Sequence, residues 1–376
     1  MIPVFRPCYG EEEIEAVREV LKSGWVGLGP RTKEFEDGFA EYAGVKYAVA
    51  LNSCTAALHL AMKVMAIEDG EVITTPMTFV STNHAILYNN AKPVFCDIEP
   101  DTLNIDASKI EELVTEKTKA IIVMHYGGYA CDVDPILDIA KRHNLKVIED
   151  AAHGCGGEYK GRKLGSLGDI GCFSFHAVKN LATGEGGMIT TDDPEVYGRL
   201  MKLRWMGITK DTWSREEEDS KRYSWYYDVM EVGYKYHMND IPAAIGLVQL
   251  RKLHVMNSRR REISQKYTEA FSQLGWIEVP VIKDYMTKPA CHNYVIKVEK
   301  RDELNDYLKG RGISTGVHYY PNHLYDMYKP YYRHLPIAQS VWKKVLTIPL
   351  FPDLTDQEID YVVKSIAEFD HKKVTR

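Results

Sequence analysis

Cys172-Phe-Ser-Phe-His-Ala-Val-Lys179, continued as Asn180-Leu-Ala-Thr-Gly-Glu-Gly-Gly187, is an apolar run that breaks into a polar loop and a glycine cluster before a second run, Met188 to Thr191. Gly171 to Phe175 reads as a buried strand that delivers Ser174 and Lys179 to a loop, and the glycines let the backbone turn tightly afterwards. A lysine between apolar and glycine residues behind a strand is set differently from a solvated one. Desolvation lowers an amine's pKa and frees its lone pair to attack a carbonyl. Taken alone, the stretch fits an ordinary loop lysine better than a reactive one. The segments around it shift the balance.

Outward from this stretch, apolar runs and helical patterns alternate. Strands are expected at 47–51, 72–75, 93–97, 120–124 and 146–150, and helices at 55–64, 81–87, 110–115 and 136–142. Several of the strands are continuous apolar runs, the mark of a parallel sheet covered by helices on both faces. Two helices precede them, residues 11–22 with an acidic first turn and 32–42, joined by the loop Ser23-Gly-Trp-Val-Gly-Leu-Gly-Pro30. After about residue 205 comes an aromatic-rich polar stretch, 212–230, read as a surface excursion. A long helix, 241 to about 274, then leads to a smaller unit with strands at 293–298 and 314–318 and helices at 301–311 and 356–369. The expected fold is α/β: a large domain (1–250) with a mostly parallel sheet flanked by helices, plus a smaller C-terminal α+β domain (251–376).

Composition narrows the classes. The chain has 376 residues, 45% hydrophobic and 27% charged, as in a soluble globular protein, and a net charge of −6 argues against nucleic-acid binding. Seven scattered cysteines without a CxxC pair point to reduced thiols, and no signal-peptide or membrane-length apolar run is present, so the expected location is the cytoplasm.

In open α/β sheets ligands sit at the carboxyl ends of the strands. Asp150 ends the run Val-Ile-Glu-Asp and is followed by Ala151-Ala152-His153; a carboxylate there can hold a pyridine nitrogen protonated, or simply cap a turn. Asn52-Ser53-Cys54-Thr55 opens a helix, a seat for phosphate or a plain cap. Phe79, after another strand, can stack on a flat ring or belong to the core. Each signal is weak, but all follow strands of one expected sheet. His318 and His323 lack a third ligand at usual spacing, and Gly27-Leu-Gly29 lacks a strand–turn–helix context, so neither a metal nor NAD is expected.

The whole pattern resembles the DegT/DnrJ/StrS family of nucleotide-sugar aminotransferases, pyridoxal-phosphate enzymes of the aspartate-aminotransferase fold (fold type I). The likeness runs through the 23–30 loop, Asn52-Ser-Cys-Thr-Ala-Ala-Leu58, Glu149-Asp-Ala-Ala-His153, Phe173 to Lys179, Gly184-Glu-Gly-Gly187, Gly233-Tyr-Lys-Tyr236 and His318-Tyr-Tyr-Pro-Asn-His323. It implies that Lys179 binds pyridoxal 5'-phosphate covalently and shuttles the proton. Asp150 pairs with the ring nitrogen, His153 lies near the ring hydroxyl and Phe79 stacks on the ring. Ser174, Cys54 and Thr55 hold the phosphate. Trp25, His318 and His323 fall on the substrate side, and sites are built at a homodimer interface, with a residue near Lys235 reaching across. Lys235 and His237 stand where many members have Asn and Arg, and Met206 replaces a usual His. Gly233-Tyr-Lys-Tyr236 with Asp240-Ile-Pro-Ala-Ala-Ile245 looks most like the branch acting at C4, rather than C3, of UDP-linked keto-sugars.

The implied reaction is a ping-pong transamination from an amino acid, glutamate by expectation, to a nucleotide-linked keto-sugar. Three rivals stand beside it. A sugar dehydratase of the same fold would carry His in place of Lys179, a catalytically silent regulator would have no need of Lys179, Asp150 and Ser174 together, and a nicotinamide oxidoreductase would need no amino donor.

Overall fold

The computed structural model describes residues 1–209 and 227–369. Seven strands form the central sheet: β1 (Tyr47–Leu51), β2 (Glu71–Thr74), β3 (Lys92–Phe95), β4 (Thr118–Met124), β5 (Lys146–Asp150), β8 (Ile170–Ser174) and β9 (Gly187–Thr191), in the order β1-β9-β8-β5-β4-β2-β3. A two-residue hairpin, β6 (Glu158–Tyr159) with β7 (Arg162–Lys163), interrupts the numbering between β5 and β8. The pairs from β8 to β3 are all parallel, while β9 runs antiparallel to both neighbours. The interiors of β4, β5 and β8 are buried, which is why they read as unbroken apolar runs: helices cover both faces and leave no solvated side to alternate with.

The covering helices are α1 (Glu11–Ser23), α2 (Pro30–Ala43), α3 (Cys54–Val64), α4 (Val80–Tyr88), α5 (Val133–His143) and α6 (Pro194–Leu203). The 32-residue α7 (Asp240–Phe271) runs without interruption past residue 250. Beyond it lie α8 (Arg301–Gly310), α9 (Pro336–Val341), α10 (Asp356–Ala367) and a two-stranded antiparallel sheet of β10 (Tyr294–Lys297) with β11 (Val345–Ile348). One large apolar core joins β4, β5 and α5 to α7, β10, β11 and α10.

Two expectations are corrected. Residues 314–318 form no strand: Gly316 exchanges one pair of backbone hydrogen bonds with Thr347 (2.9 and 2.7 Å), and the partner of β10 is β11 instead. Residues 110–115 form no α-helix but fall among two short 3-10 turns, Ala107–Lys109 and Glu111–Leu113, which bury Ile110 and Leu113. The expected excursion at 212–230 lies outside the described residues up to 226. Among the described residues no helix is long and apolar enough to cross a membrane.

Candidate active site

A cavity of about 630 Å³ opens where the carboxyl ends of β5 and β8 meet the amino ends of α3 and α4. β5 ends on Asp150 and β8 on Ser174; Cys54 and Thr55 begin α3, and Phe79 caps α4. Lys179, from the loop after β8, faces them, and His153 and His318 line the same space. Eight of the eleven residues singled out in the sequence therefore converge here. Trp25, Lys235 and His323 do not line it.

The geometry of each group has a local cause. Ser53 caps α3, its hydroxyl accepting the Ala56 N–H at 3.1 Å. The amides of Cys54 and Thr55 lie in the first turn, where helix N–H groups have no intrahelical carbonyl. Gly187 lets β9 pass directly under this turn: a Cβ there would lie 2.4 Å from the Ser53 carbonyl and 2.7 Å from the Cys54 nitrogen. Asp150, 3% exposed, accepts from Thr82 Oγ1 at 2.6 Å and from the Ala152 N–H at 3.1 Å. Burial raises its pKa, opposed by those hydrogen bonds and by the Lys179 charge. Beneath it the buried Glu149 is held by amides of Gly165, Leu167 and Gly168 and by His125. Phe79 is 59% exposed, a large ring left open at the cavity mouth.

Lys179 is largely buried in the cavity wall. Burial pushes its pKa down to about 8, with Cys54 and Asp150 pulling the other way. Among the described residues that line the cavity it is the only lysine or arginine. An amine in that state is neutral in a useful fraction near neutral pH, which nucleophilic and proton-carrying roles require.

Several neighbours escaped the sequence reading. Tyr319 lines the cavity and pairs its hydroxyl with His153 Nε2 at 3.0 Å. His292 packs on His153 with ring centres 4.3 Å apart, and Phe5, from the amino-terminal segment, stacks on His292. Tyr126-Gly-Gly-Tyr129 after β4 carries two glycines in the left-handed region, Gly127 (φ 63°) and Gly128 (φ 87°), and the Gly127 N–H reaches His153 Nδ1. That Gly-Gly pair at a strand end was the available signal. Phe5 and His292 had none, since a ring's role here depends on contacts across nearly the whole chain.

The outlying residues are placed as follows. Lys235 rests its ammonium 3.3 Å from the centre of the Trp205 ring, and the Trp205 and His237 rings meet at 4.4 Å. Trp25 donates its Nε1–H to the Leu28 carbonyl at 3.0 Å and lies against Gly29. His323 is wholly buried beside Phe95 and Tyr332, and burial drives its pKa down to about 4.

Residues 7–367 match the sequence profile of the DegT/DnrJ/EryC1/StrS aminotransferase family. The chain belongs to that family. It is 44% identical to the spore coat polysaccharide biosynthesis protein SpsC of Bacillus subtilis, over 98% of this chain and 96% of SpsC. It superposes on the sugar aminotransferase CalS13 of Micromonospora echinospora with a TM-score of 0.90 and 32% identity, covering 98% of this chain and all of CalS13. Against Spr1654 of Streptococcus pneumoniae in its PMP form the TM-score is 0.91 at 33% identity, covering 97% and 98%; that protein is also known in a PLP form. The chain is an aminotransferase of the pyridoxal-phosphate-dependent class. Its cavity fits the cofactor: free amides and a hydroxyl for an anion, a buried carboxylate, a desolvated amine and an exposed ring.

Proposed function

We propose that the protein transfers an amino group from glutamate to the keto carbon, C4, of a nucleotide-linked sugar. The observation that carries the reading is one largely buried amine, Lys179, held at a depressed pKa and lining the same cavity as the buried Asp150 at the strand ends of the sheet. Sugar as substrate class is supported by CalS13 and SpsC; C4 and the UDP link rest on Gly233-Tyr-Lys-Tyr236 and Asp240 to Ile245.

In this reading Ser174 and the first-turn amides of α3 take the cofactor's phosphate. Asp150 holds the ring nitrogen protonated, Phe79 covers the ring and His153 stands beside its hydroxyl. The bound cofactor supplies an electron sink for charge developing at the carbon that gains or loses the amine. Lys179 provides the nucleophilic amine and, once free, moves the proton at that carbon. Thr82, itself paired with Thr78 at 2.7 Å, fixes the Asp150 carboxylate. His318 lies on the sugar side; Trp25 and Lys235, outside their own chain's cavity, are assigned to that of a second copy in a homodimer.

The test is the visible spectrum of the purified protein. A yellow band should bleach with glutamate and return on adding a UDP-linked 4-keto-sugar faster than with a 3-keto isomer, with the new amine located by NMR. No band after supplying pyridoxal phosphate overturns the reading. A band indifferent to every amino donor overturns it equally.

A further inference from the structure

The amino-terminal segment is tied down along its length. The Ile2 N–H bonds the Gly312 carbonyl at 2.8 Å and the Ile2 carbonyl accepts from Ser314. Leu350 N–H reaches the Val4 carbonyl at 3.0 Å, and the Arg6 guanidinium lies 4.7 Å over the Phe351 ring. Gln249 donates to the Cys8 carbonyl and the Gly184 N–H to the Tyr9 hydroxyl. Phe5 is thus anchored on both sides, and its ring enters the cavity parallel to His292 (2°, centres 5.3 Å apart), with its edge to His318.

Hydrogen bonds fix the polarity behind that ring. Asn180 gives both amide hydrogens away, to Asn257 Oδ1 and the Ala290 carbonyl, so its Oδ1 accepts from His292 Nδ1 at 3.0 Å. The Gly127 carbonyl takes the His292 backbone N–H, and the Gly127 N–H donates to His153 Nδ1 at 3.3 Å. His153 therefore carries its proton on Nε2, where it faces the Tyr319 hydroxyl. A hydroxyl that accepts there keeps its own proton to give elsewhere, and Tyr319 lines the cavity.

We propose that Phe5 and His292 are positioning residues for the acceptor half of the reaction: they lock the His153 ring so that Tyr319 presents its hydroxyl proton to an oxygen of the sugar. This rests on the sugar reading above. The rings form a file, Phe5 stacked on His292 and His292 tilted against His153, and removing its outer member lets the inner two turn out of their hydrogen bonds to Asn180 and Gly127, which is what frees the tautomers to exchange.

Two measurements on the cofactor-loaded protein decide it. In ¹⁵N spectra of the imidazoles, with His153 assigned by its loss in His153→Gln, the wild type should show a bare Nδ1 and a protonated Nε2. Phe5→Ala should mix the tautomers and Phe5→Tyr restore one. In single turnovers of the amine-loaded form with keto-sugar, Phe5→Ala and Tyr319→Phe should each slow the reaction about 3–10-fold, the worth of one neutral hydrogen bond. The double variant should be no slower than Tyr319→Phe, because both act through one hydroxyl. Phe5→Leu, which keeps bulk without a flat ring, should follow Phe5→Ala and guards against a folding defect. A wild-type His153 protonated on Nδ1, an unchanged tautomer in Phe5→Ala, or a double variant slowed by the product of the single effects overturns the proposal. A wild type that bleaches with glutamate yet reacts with no keto-sugar sinks the sugar reading instead, and the imidazole spectra still decide the positioning.

Discussion

Burial holds the Lys179 amine at a pKa of about 8 against an ordinary 10.5, and the same displacement has a cost for the fold. The unfolded chain binds this proton more tightly than the native one. Below the native value both states are protonated, and the native state carries the whole penalty, about 3 kcal/mol at 1.36 kcal/mol per pKa unit. As pH rises from 8 toward 10.5 the native amine is already neutral while the unfolded one is still charged, so the penalty fades. Lys179→Met in the cofactor-free protein should therefore be the more stable form at pH 7, by up to about 3 kcal/mol, with the gap closing near pH 10. Urea melts at the two pH values check this; equal stabilities at pH 7 contradict it. The same substitution should abolish the visible band and turnover. This lysine was legible only in company: its own stretch fits an ordinary loop lysine, and the strand-end signals at Asp150, Cys54 and Phe79 shifted the balance. Tyr319 was not, because its importance comes from facing His153, 166 positions away in the chain.

Among the elements, the amino end of α3 bears the most on ligand binding, because β9 runs beneath it with no room to spare. Gly187→Ala would drive a methyl group into the Ser53 carbonyl and the Cys54 amide, both backbone atoms that move only with the helix. If the amides of this turn seat the phosphate as proposed, affinity for pyridoxal phosphate should fall at least about 10-fold, since they are the ones displaced. Ser53→Ala, which removes the cap bond to Ala56, should destabilise by about 1 kcal/mol with a smaller loss of affinity. Cofactor titration by fluorescence and thermal melts separate the two; an unaltered affinity in Gly187→Ala would show that this turn does not seat the phosphate. Strands and helices here were readable wherever burial on both faces imposed continuous apolar runs, as in β5, whose expected bounds coincide with those found. Residues 314–318 misled because Thr315 and Val317 are β-branched and suit a strand, while their pairing with β11 stops at the single Gly316–Thr347 bridge.

At the scale of the molecule the sequence could suggest alternating strands and helices but not their order across the sheet, which long-range contacts decide: β9 inserts antiparallel between β1 and β8 although it follows both in the chain. The same limit applies to Lys235. Within one chain it sits on Trp205, away from the cavity, so a role in catalysis requires a second copy. Twofold assemblies exchange such contributions reciprocally, each chain lending its residue to the other. Lys235→Ala should then weaken cofactor or substrate binding, as loss of a cation facing phosphate does, and by itself leave little activity at low ligand concentration. Lys179→Ala should be inactive for a separate reason, the loss of the nucleophilic amine. Refolding the two variants together gives hybrid dimers in which one cavity carries both defects and the other carries neither, so activity should return to roughly a quarter of the wild-type value at equal mixing. Were Lys235 to serve the cavity of its own chain, every cavity in the hybrid would hold one defect, and mixing would restore nothing.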